Sequence, residues 1–301
     1  MTKQVIRSPF FYVGDKYKLI AEIKDYFPQK INRFLEPFTG GGSVFLNIDA
    51  KEYYLNDIDK YIYLLHKFLI ENSKNEKSFF KEIESIIYEY NLSRSYKEDI
   101  IPIELKEELK KTYYSRFNKE NYCKLRKDFN TTGKSDLYKL YLLLIYGFNR
   151  MLRFNSNGDF NLPVGNVDFN KNVIKALKNY FKIVRNRKIK WSDKDYKTFI
   201  TEVSPNEDDF IYFDPPYLIT FSEYNKLWDI EKEKEFVDYL DVINEKKVKF
   251  AVSNVIIYKQ KINIIFKDWA AKYNTYPIQS NYISYHDNSI KNFKEVLVTN
   301  Y

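Results

Sequence analysis

The chain has 301 residues, 44% hydrophobic and 30% charged, the proportions of a globular protein long enough for one large core or two. One cysteine, Cys123, excludes an internal disulfide, and with only His66 and His286 beside it no Cys/His cluster exists for a structural zinc. Any chemistry must therefore run on carboxylates, hydroxyls, amides and backbone. The net charge of +8 favours a polyanionic partner. It is concentrated between Lys106 and Arg153, where twelve Lys and Arg face five Asp and Glu. The start, MTKQVIRSPFFYVGDKYKL, has no apolar core of signal-peptide length, and no run of about 18 apolar residues occurs, so a soluble cytoplasmic protein is expected.

In chain order, Ile20, Ile23 and Phe27 repeat at helical spacing until Pro28. RFLEPF then reads as a short buried strand running into TGGGS. SVFLNI can open a helix, EYYLND is a second strand and DKYIYLLHKFLI a second helix. This β-α-β-α order argues for a parallel sheet covered on both faces. From about residue 73 to 151 the pattern changes to charged amphipathic helices, broken at Pro102 and NTTGKSD, and read as a helical insertion. It closes on RFNSNGDFNLPVG, where Asn157-Gly158 signals a two-residue hairpin turn. Alternation then resumes: helix VIKALKNYF, strands KIKWSD and DFIYFD, helix EKEKEFVDYLDVIN, strand KFAVSN, helix NIIFKDWAAKY and a final strand EVLVTNY.

The loop EPFTGGGSVF follows a strand and precedes the expected helix, the place where α/β folds bind nucleotides. Gly40, Gly41 and Gly42 permit close backbone approach. The phosphate-binding Lys-Ser/Thr is missing, and Phe45 replaces the third glycine of a dinucleotide fingerprint. Asp57, ending the next strand, is placed to accept from both hydroxyls of a ribose. Adenosine without pyrophosphate fits, and S-adenosylmethionine is the commonest such cofactor; a tight turn with a helix-capping Asp is the other reading of the same residues.

DPPY at Asp214 to Tyr217, with EPFTGGGSVFLN upstream and YVGDKYKLI near the start, resembles the Dam-type DNA adenine methyltransferases, including those of T-even phages. FNRMLRFNSNGDFNLPVG, DPPYLITFSEYNKLW, KFAVSN and EVLVTNY have counterparts there in the same order. The resemblance implies an α/β, Rossmann-like methyltransferase fold with a mostly parallel seven-stranded sheet. It implies a catalytic S-adenosylmethionine-binding domain at 1–58 and 166–301, and a helical DNA target-recognition domain at 59–165 with its hairpin at 154–164. It makes Tyr12, Lys16, Pro37, Phe38, Gly40, Gly42, Asp57 and Asp214 cofactor contacts, with Asp195 as candidate for the adenine amino group of the cofactor. It makes Asp214, Pro215, Pro216 and Tyr217 catalytic: two acceptors aim the lone pair of an exocyclic amino group at the sulfonium methyl, and Tyr217 stacks on a flipped-out base. Phe148, Asn149, Met151, Arg153 and Asn155 fall on the DNA side, with Arg153 matched to an arginine that reads guanine.

The expected partner is double-stranded DNA, with no metal, and a monomer or weak dimer. A cognate restriction endonuclease is a possible functional companion. GATC is the leading site, although Gly165-Asn166 stands where relatives carry a basic residue, and Phe11 where they carry lysine. Cytosine amino groups, RNA or protein glutamine are alternative acceptors; the tetrads for the RNA and protein substrates more often begin with Asn. A methylase-like DNA-binding regulator without catalysis is the rival from another class, and a nicotinamide oxidoreductase a poorer third.

Overall fold

A computed structural model describes residues 5–98, 100–220, 228–279 and 293–301. His286 and residues 221–227, which carry most of the segment after the tetrad, lie outside the described residues. Ten helices and eight strands follow one another among the described residues: α1 Ile20–Ile23, β1 Arg33–Glu36, β2 Glu52–Asn56, α2 Lys60–Asn72, α3 Glu76–Glu89, α4 Ile103–Leu109, α5 Tyr113–Thr131, α6 Leu137–Tyr146, α7 Lys171–Val184, β3 Ile189–Ser192, α8 Tyr196–Val203, β4 Phe210–Phe213, α9 Ile230–Glu245, β5 Lys249–Tyr258, β6 Lys261–Ile262, α10 Ile264–Ala270, β7 Asn274–Ile278 and β8 Phe293–Thr299.

Seven strands lie in the order β3-β2-β1-β4-β5-β8-β7, and the two-residue β6 pairs beside β5. The first five run parallel, and β8 is antiparallel to both its neighbours. Helices on both faces bury the strands on both sides, as the expected parallel sheet requires. Phe34, Phe210, Tyr212, Ala251 and Leu297 point into one core with α2, α3, α5, α6 and α7. Their neighbours Leu35, Ile211, Phe213, Phe250, Val252, Val296 and Val298 point into the other with α8, α9 and α10. This two-residue alternation fixes the register, because a one-residue slip would exchange the two cores.

Four local expectations are corrected. SVFLNI makes only a 3-10 turn, Phe45–Asn47. The Asn47 side chain exchanges hydrogen bonds with the Ile6 backbone (both 2.8 Å) and donates to Ser43, pinning this stretch to the N-terminal segment instead of releasing it into a helix. The Asn157-Gly158 turn is a three-residue loop: Gly158 N–H donates to Asn155 O, Asn155 N–H donates to Asp159 O, and Gly158 alone is left-handed, at φ 73°. Phe154 and Phe160 form the bridge beneath it. Helix α8 is absent from the sequence expectation, since its eight residues are short for a periodic signal. Strand β7 is likewise absent from it because Pro277 argues against a strand; as the sheet's last strand β7 has one neighbour, and a missing N–H there costs no ladder bond on the open side.

At the opposite end from the glycine loop, Arg33 clamps β1 to β4. Its Nε and Nη2 donate to the two oxygens of Asp209 (3.0 and 2.5 Å), and its remaining N–H groups reach the Val203 and Ser204 carbonyls (3.1 Å each). The Asp209 side chain is fully buried, so removing its partner strands a charge. Arg33→Ala should lower unfolding stability by about 3 to 5 kcal/mol in urea titrations. Arg33→Lys should recover less than half of that, since a point ammonium cannot serve two carboxylate oxygens and two carbonyls at once.

Candidate active site at the sheet switch point

From β1 the chain winds one way, to β2 and β3; from β4 it winds the other, to β5. Between the carboxyl ends of β1 and β4 lies the switch point, the crevice where open α/β sheets place ligands. The glycine loop leaves β1 and the DPPY tetrad leaves β4, so two sequence motifs some 170 residues apart meet there.

Asn56, buried at the end of β2, ties the neighbouring loops together. Its Nδ2 donates to the carbonyls of Pro37 and Lys194 (2.9 Å each), while its Oδ1 accepts from Ser192 Oγ (2.7 Å) and Lys194 N–H (2.9 Å). Thr39, in the first loop, donates its N–H to Asn56 O (3.0 Å) and accepts from Asn56 N–H at its Oγ1 (3.2 Å). Asp57 follows: its Oδ2 accepts from Gly40 N–H (2.7 Å) and its Oδ1 from Asp59 N–H (2.9 Å). Desolvation raises its carboxyl to about 7. Asp195, after β3, caps α8 by accepting from Lys197 N–H at 2.9 Å.

The glycines have separate reasons. Gly40 (φ 49°) and Gly42 (φ 79°) are left-handed. A Cβ on Gly41 would stand 2.9 Å from the Cβ of Tyr12, which lies against the loop, and one on Gly42 would stand 2.3 Å from the Phe45 ring. Two of the three positions are thus needed for packing of the loop against its own chain. Fully buried His66 secures it from α2. Desolvation holds the ring neutral, pulling its pKa down to about 3, so one nitrogen donates and the other accepts. Gly40 O can only accept, which makes Nε2 the donor (2.9 Å) and leaves Nδ1 to accept from Tyr180 OH (3.0 Å). Trp191 stacks on the ring at 4.2 Å.

Around the tetrad, Lys16 Nζ lies 2.6 Å from Asp214 Oδ2 and 3.9 Å from Glu295 Oε1. Tyr217 OH bridges the same carboxylates, 2.8 Å from Asp214 Oδ1 and 3.1 Å from Glu295 Oε1. Burial, then Asp214 and Glu295, push the Tyr217 phenol well up, so it stays a proton donor. Glu36, buried at the end of β1, accepts from Phe45 N–H, and burial together with Asp214 raises its carboxyl well above the usual range. Sequence reasoning misses Glu36 and Glu295; the available signal is an acidic residue within a buried strand, at the end of β1 for Glu36 and near the start of β8 for Glu295.

Of the other expected residues, Phe38 turns onto the second core, packing at 5.3 to 6.2 Å from Tyr196, Trp228 and Phe236. Pro37 is buried and Pro215 with it, while Pro216 is half-buried. Phe148 is 45% exposed, Asn149 is exposed and left-handed at φ 53°, and Met151 is half-buried against the first core. Arg153 spends Nε and Nη2 on Asn161 (2.8 Å each). Asn155 Oδ1 accepts from Asn157 and Asp159 N–H, building the hairpin loop. Asn166 accepts from Ser115 N–H and donates to Lys111 O, a clip on the start of α5. Among the described residues there is no group of acidic, Cys or His side chains fit for a metal, and no helix is long and apolar enough to cross a membrane.

Sheet order, the antiparallel β8 inserted between β5 and β7, and paired loops at the switch point define a Rossmann-like methyltransferase fold. The chain belongs to the D12 class N6 adenine-specific DNA methyltransferase family, whose description matches residues 12–284. It is similar to modification methylase StsI of Streptococcus sanguinis (31% identity) and to type II methyltransferase M.FokI of Planomicrobium okeanokoites (32%), each covering 100% of this chain and 44% of the relative. It thus spans less than half the length of these two. A DNA adenine methylase of Vibrio cholerae serotype O1 is 29% identical over 221 residues, 72% of this chain and 66% of that one. The Dam-type resemblance is borne out, and it widens to type II modification methylases.

His66 gives the site a measurable signature. The unfolded ring takes a proton near pH 6.5 but the folded ring only near 3, so stability from this position is complete above about 6.5 and is lost as pH falls. His66→Gln should therefore be less stable than wild type at pH 7.5, and its deficit should narrow on acidification, by up to about 1.4 kcal/mol per pH unit. Glu36 and Asp57 titrate in both proteins and drop out of the difference. Chemical denaturation between about pH 7.5 and 4.5 measures it; a deficit constant with pH would show that the ring is not held neutral.

Proposed function

We propose that this protein transfers a methyl group from S-adenosylmethionine to the exocyclic N6 amino group of an adenine flipped out of duplex DNA. The observation that carries the reading is the Asp214 carboxylate, oriented by Lys16 and Tyr217 beside the glycine loop at the switch point. The residues fit the cofactor: Asp57 can accept from ribose hydroxyls, Gly40 leaves a backbone wall, and the loop lacks phosphate-binding side chains. S-adenosylmethionine supplies an electrophilic methyl on a positively charged sulfur.

The chain's own residues do the rest. An adenine amino group is a poor nucleophile because its lone pair is delocalised into the ring. Asp214 and the Pro215 carbonyl accept its two protons, favour a pyramidal nitrogen and aim the lone pair, which is catalysis by positioning and electrostatics. A carboxylate has lone-pair sites to spare beyond those used by Lys16 and Tyr217. Proline fixes φ at Pro215 and Pro216, holding both acceptors in place, and the Tyr217 ring stacks on the base. The basic stretch from Lys106 to Arg153 neutralises phosphates and locates the duplex. Within the 59–165 segment Phe148, Asn149, Met151, Arg153 and Asn155 face the target, with Arg153 exchanging Asn161 for guanine when DNA binds. GATC is the first site to test, and a partner endonuclease follows from the relatives' names as modification methylases.

Expression in a methylation-free bacterial host, with single-molecule sequencing of its genome, should reveal methyladenine at one short motif. Asp214→Ala should lower transfer by at least about a thousandfold while DNA binding persists. Full activity in that variant would remove Asp214 from the mechanism, and a folded wild type that modifies no base would favour the regulator. Hydrogen bonds from ribose stabilise the ionised form of Asp57, so cofactor affinity should rise with pH up to about 7 and then level off. Asp57→Asn should bind more weakly and without that pH dependence in calorimetry.

A further inference from the structure

Two arginines that the site does not use converge on one ring. The Arg7 guanidinium carbon lies 4.5 Å and the Arg150 carbon 4.3 Å from the centroid of Phe11, which is buried. Arg7 belongs to the N-terminal segment and Arg150 to the turn after α6, 143 positions later in the sequence. The arrangement is costly in three ways. The like charges repel, and burial with the Arg7 charge lowers the Arg150 pKa to about 10. Arg150 Nε is buried without a hydrogen-bond partner. Phe11 (φ 49°), Asn149 (φ 53°) and Arg150 (φ 50°) are all left-handed without being glycine.

The protein itself gives only partial relief, from Tyr141 and Asp168 on Arg150 and from the Tyr17 ring beside Arg7. Asp15 is the acid that feels Arg7 and Asp168 the acid that feels Arg150, but neither arginine forms an ion pair among the described residues. Stacking of a guanidinium on an aromatic face leaves its N–H edge available for a ligand. Next to the pair, Phe148 and Asn149 are exposed, so the position opens to solvent at the basic end of the helical segment.

We infer that Arg7 and Arg150, stacked on Phe11, form a clamp for a single backbone phosphate of duplex DNA. This rests on the DNA reading above and adds to it a contact that is blind to sequence. A neutral base edge could accept hydrogen bonds from one arginine but would leave the repulsion between the two in place; an anion satisfies both guanidinium groups and offsets that repulsion together. The strained turn at Asn149 and Arg150 is then the geometry that brings the second cation to the phosphate.

The test uses the full chain and short duplexes, one containing the methylated motif and one without it, titrated by fluorescence anisotropy from about 50 to 200 mM salt. Arg7→Gln and Arg150→Gln should each weaken both duplexes by the same factor, roughly tenfold. Because the two groups share one phosphate, the double variant should flatten the slope of log K against log salt by about 0.9 in total, where two separate phosphates would give about 1.8. S-adenosylmethionine binding should be unchanged in calorimetry. Unchanged affinity and slope would overturn the inference, and weakening confined to the motif duplex would overturn it in favour of base reading. If Arg150→Gln lowers the melting temperature, the exposed Arg7 carries the test alone. A wild type that binds neither duplex would instead defeat the DNA reading on which the clamp rests.

Discussion

One buried ammonium, that of Lys16, stands between two carboxylates, Asp214 and Glu295, and the site is assembled around it. The three residues come from the N-terminal segment, the end of β4 and the strand β8, parts of the chain that share no local structure. Taking such charges out of water is expensive unless they are paired and hydrogen-bonded, so the pairing constrains all three segments at once. Tyr217 completes it with one hydroxyl between both carboxylates. The interaction adds little to net stability and much to specificity of position: Asp214 can occupy few places in which it reaches Lys16 and Tyr217 while both of these also lie close to Glu295.

The surrounding sheet is what allows that rigidity. Since each central strand buries alternate residues in separate cores, none can slip or rotate without exchanging Phe34 for Leu35 or Tyr212 for Phe213. The strand ends are therefore fixed, and the loops leaving them inherit the fixity through short polar ties. Asn56 links the first and third of these loops, and His66 reaches from α2 to hold Gly40. The side chains of Asn56 and His66 are buried with every polar atom bonded, which is the condition under which such ties specify one arrangement.

Much of this was legible before any coordinates. The β-α alternation, the glycine loop, the tetrad and the helical stretch between them follow from periodicity, turn residues and charge, all local signals. What escaped was non-local. Pro277 argued against a strand, and only the position of β7 at the sheet edge makes it harmless. SVFLNI has helical composition, but Asn47 is held by Ile6, forty-one residues earlier. Asp195 caps α8 through its bond to Lys197, one of the two roles that its sequence position allows. Glu36 and Glu295 gain their place from burial beside Asp214 and Lys16, which no spacing in the sequence encodes.

The site as folded carries more acid than base. Glu36, Asp214 and Glu295 gather where Lys16 is the cation in ion-pair reach, and the structure answers by raising Glu36, buried at the end of β1. A protonated buried carboxyl is a reserve of negative charge: a ligand with fixed positive charge lets it ionise and is held more tightly for doing so. On the proposed reading these carboxylates face a cofactor positively charged at sulfur before transfer and neutral there afterwards. Their attraction is then strongest for the form that has still to react, and it weakens once the methyl has gone. The same acidic excess repels the phosphates of DNA, which fits a division of labour in which the duplex is gripped by the basic helical segment and only an uncharged base is admitted to the crevice.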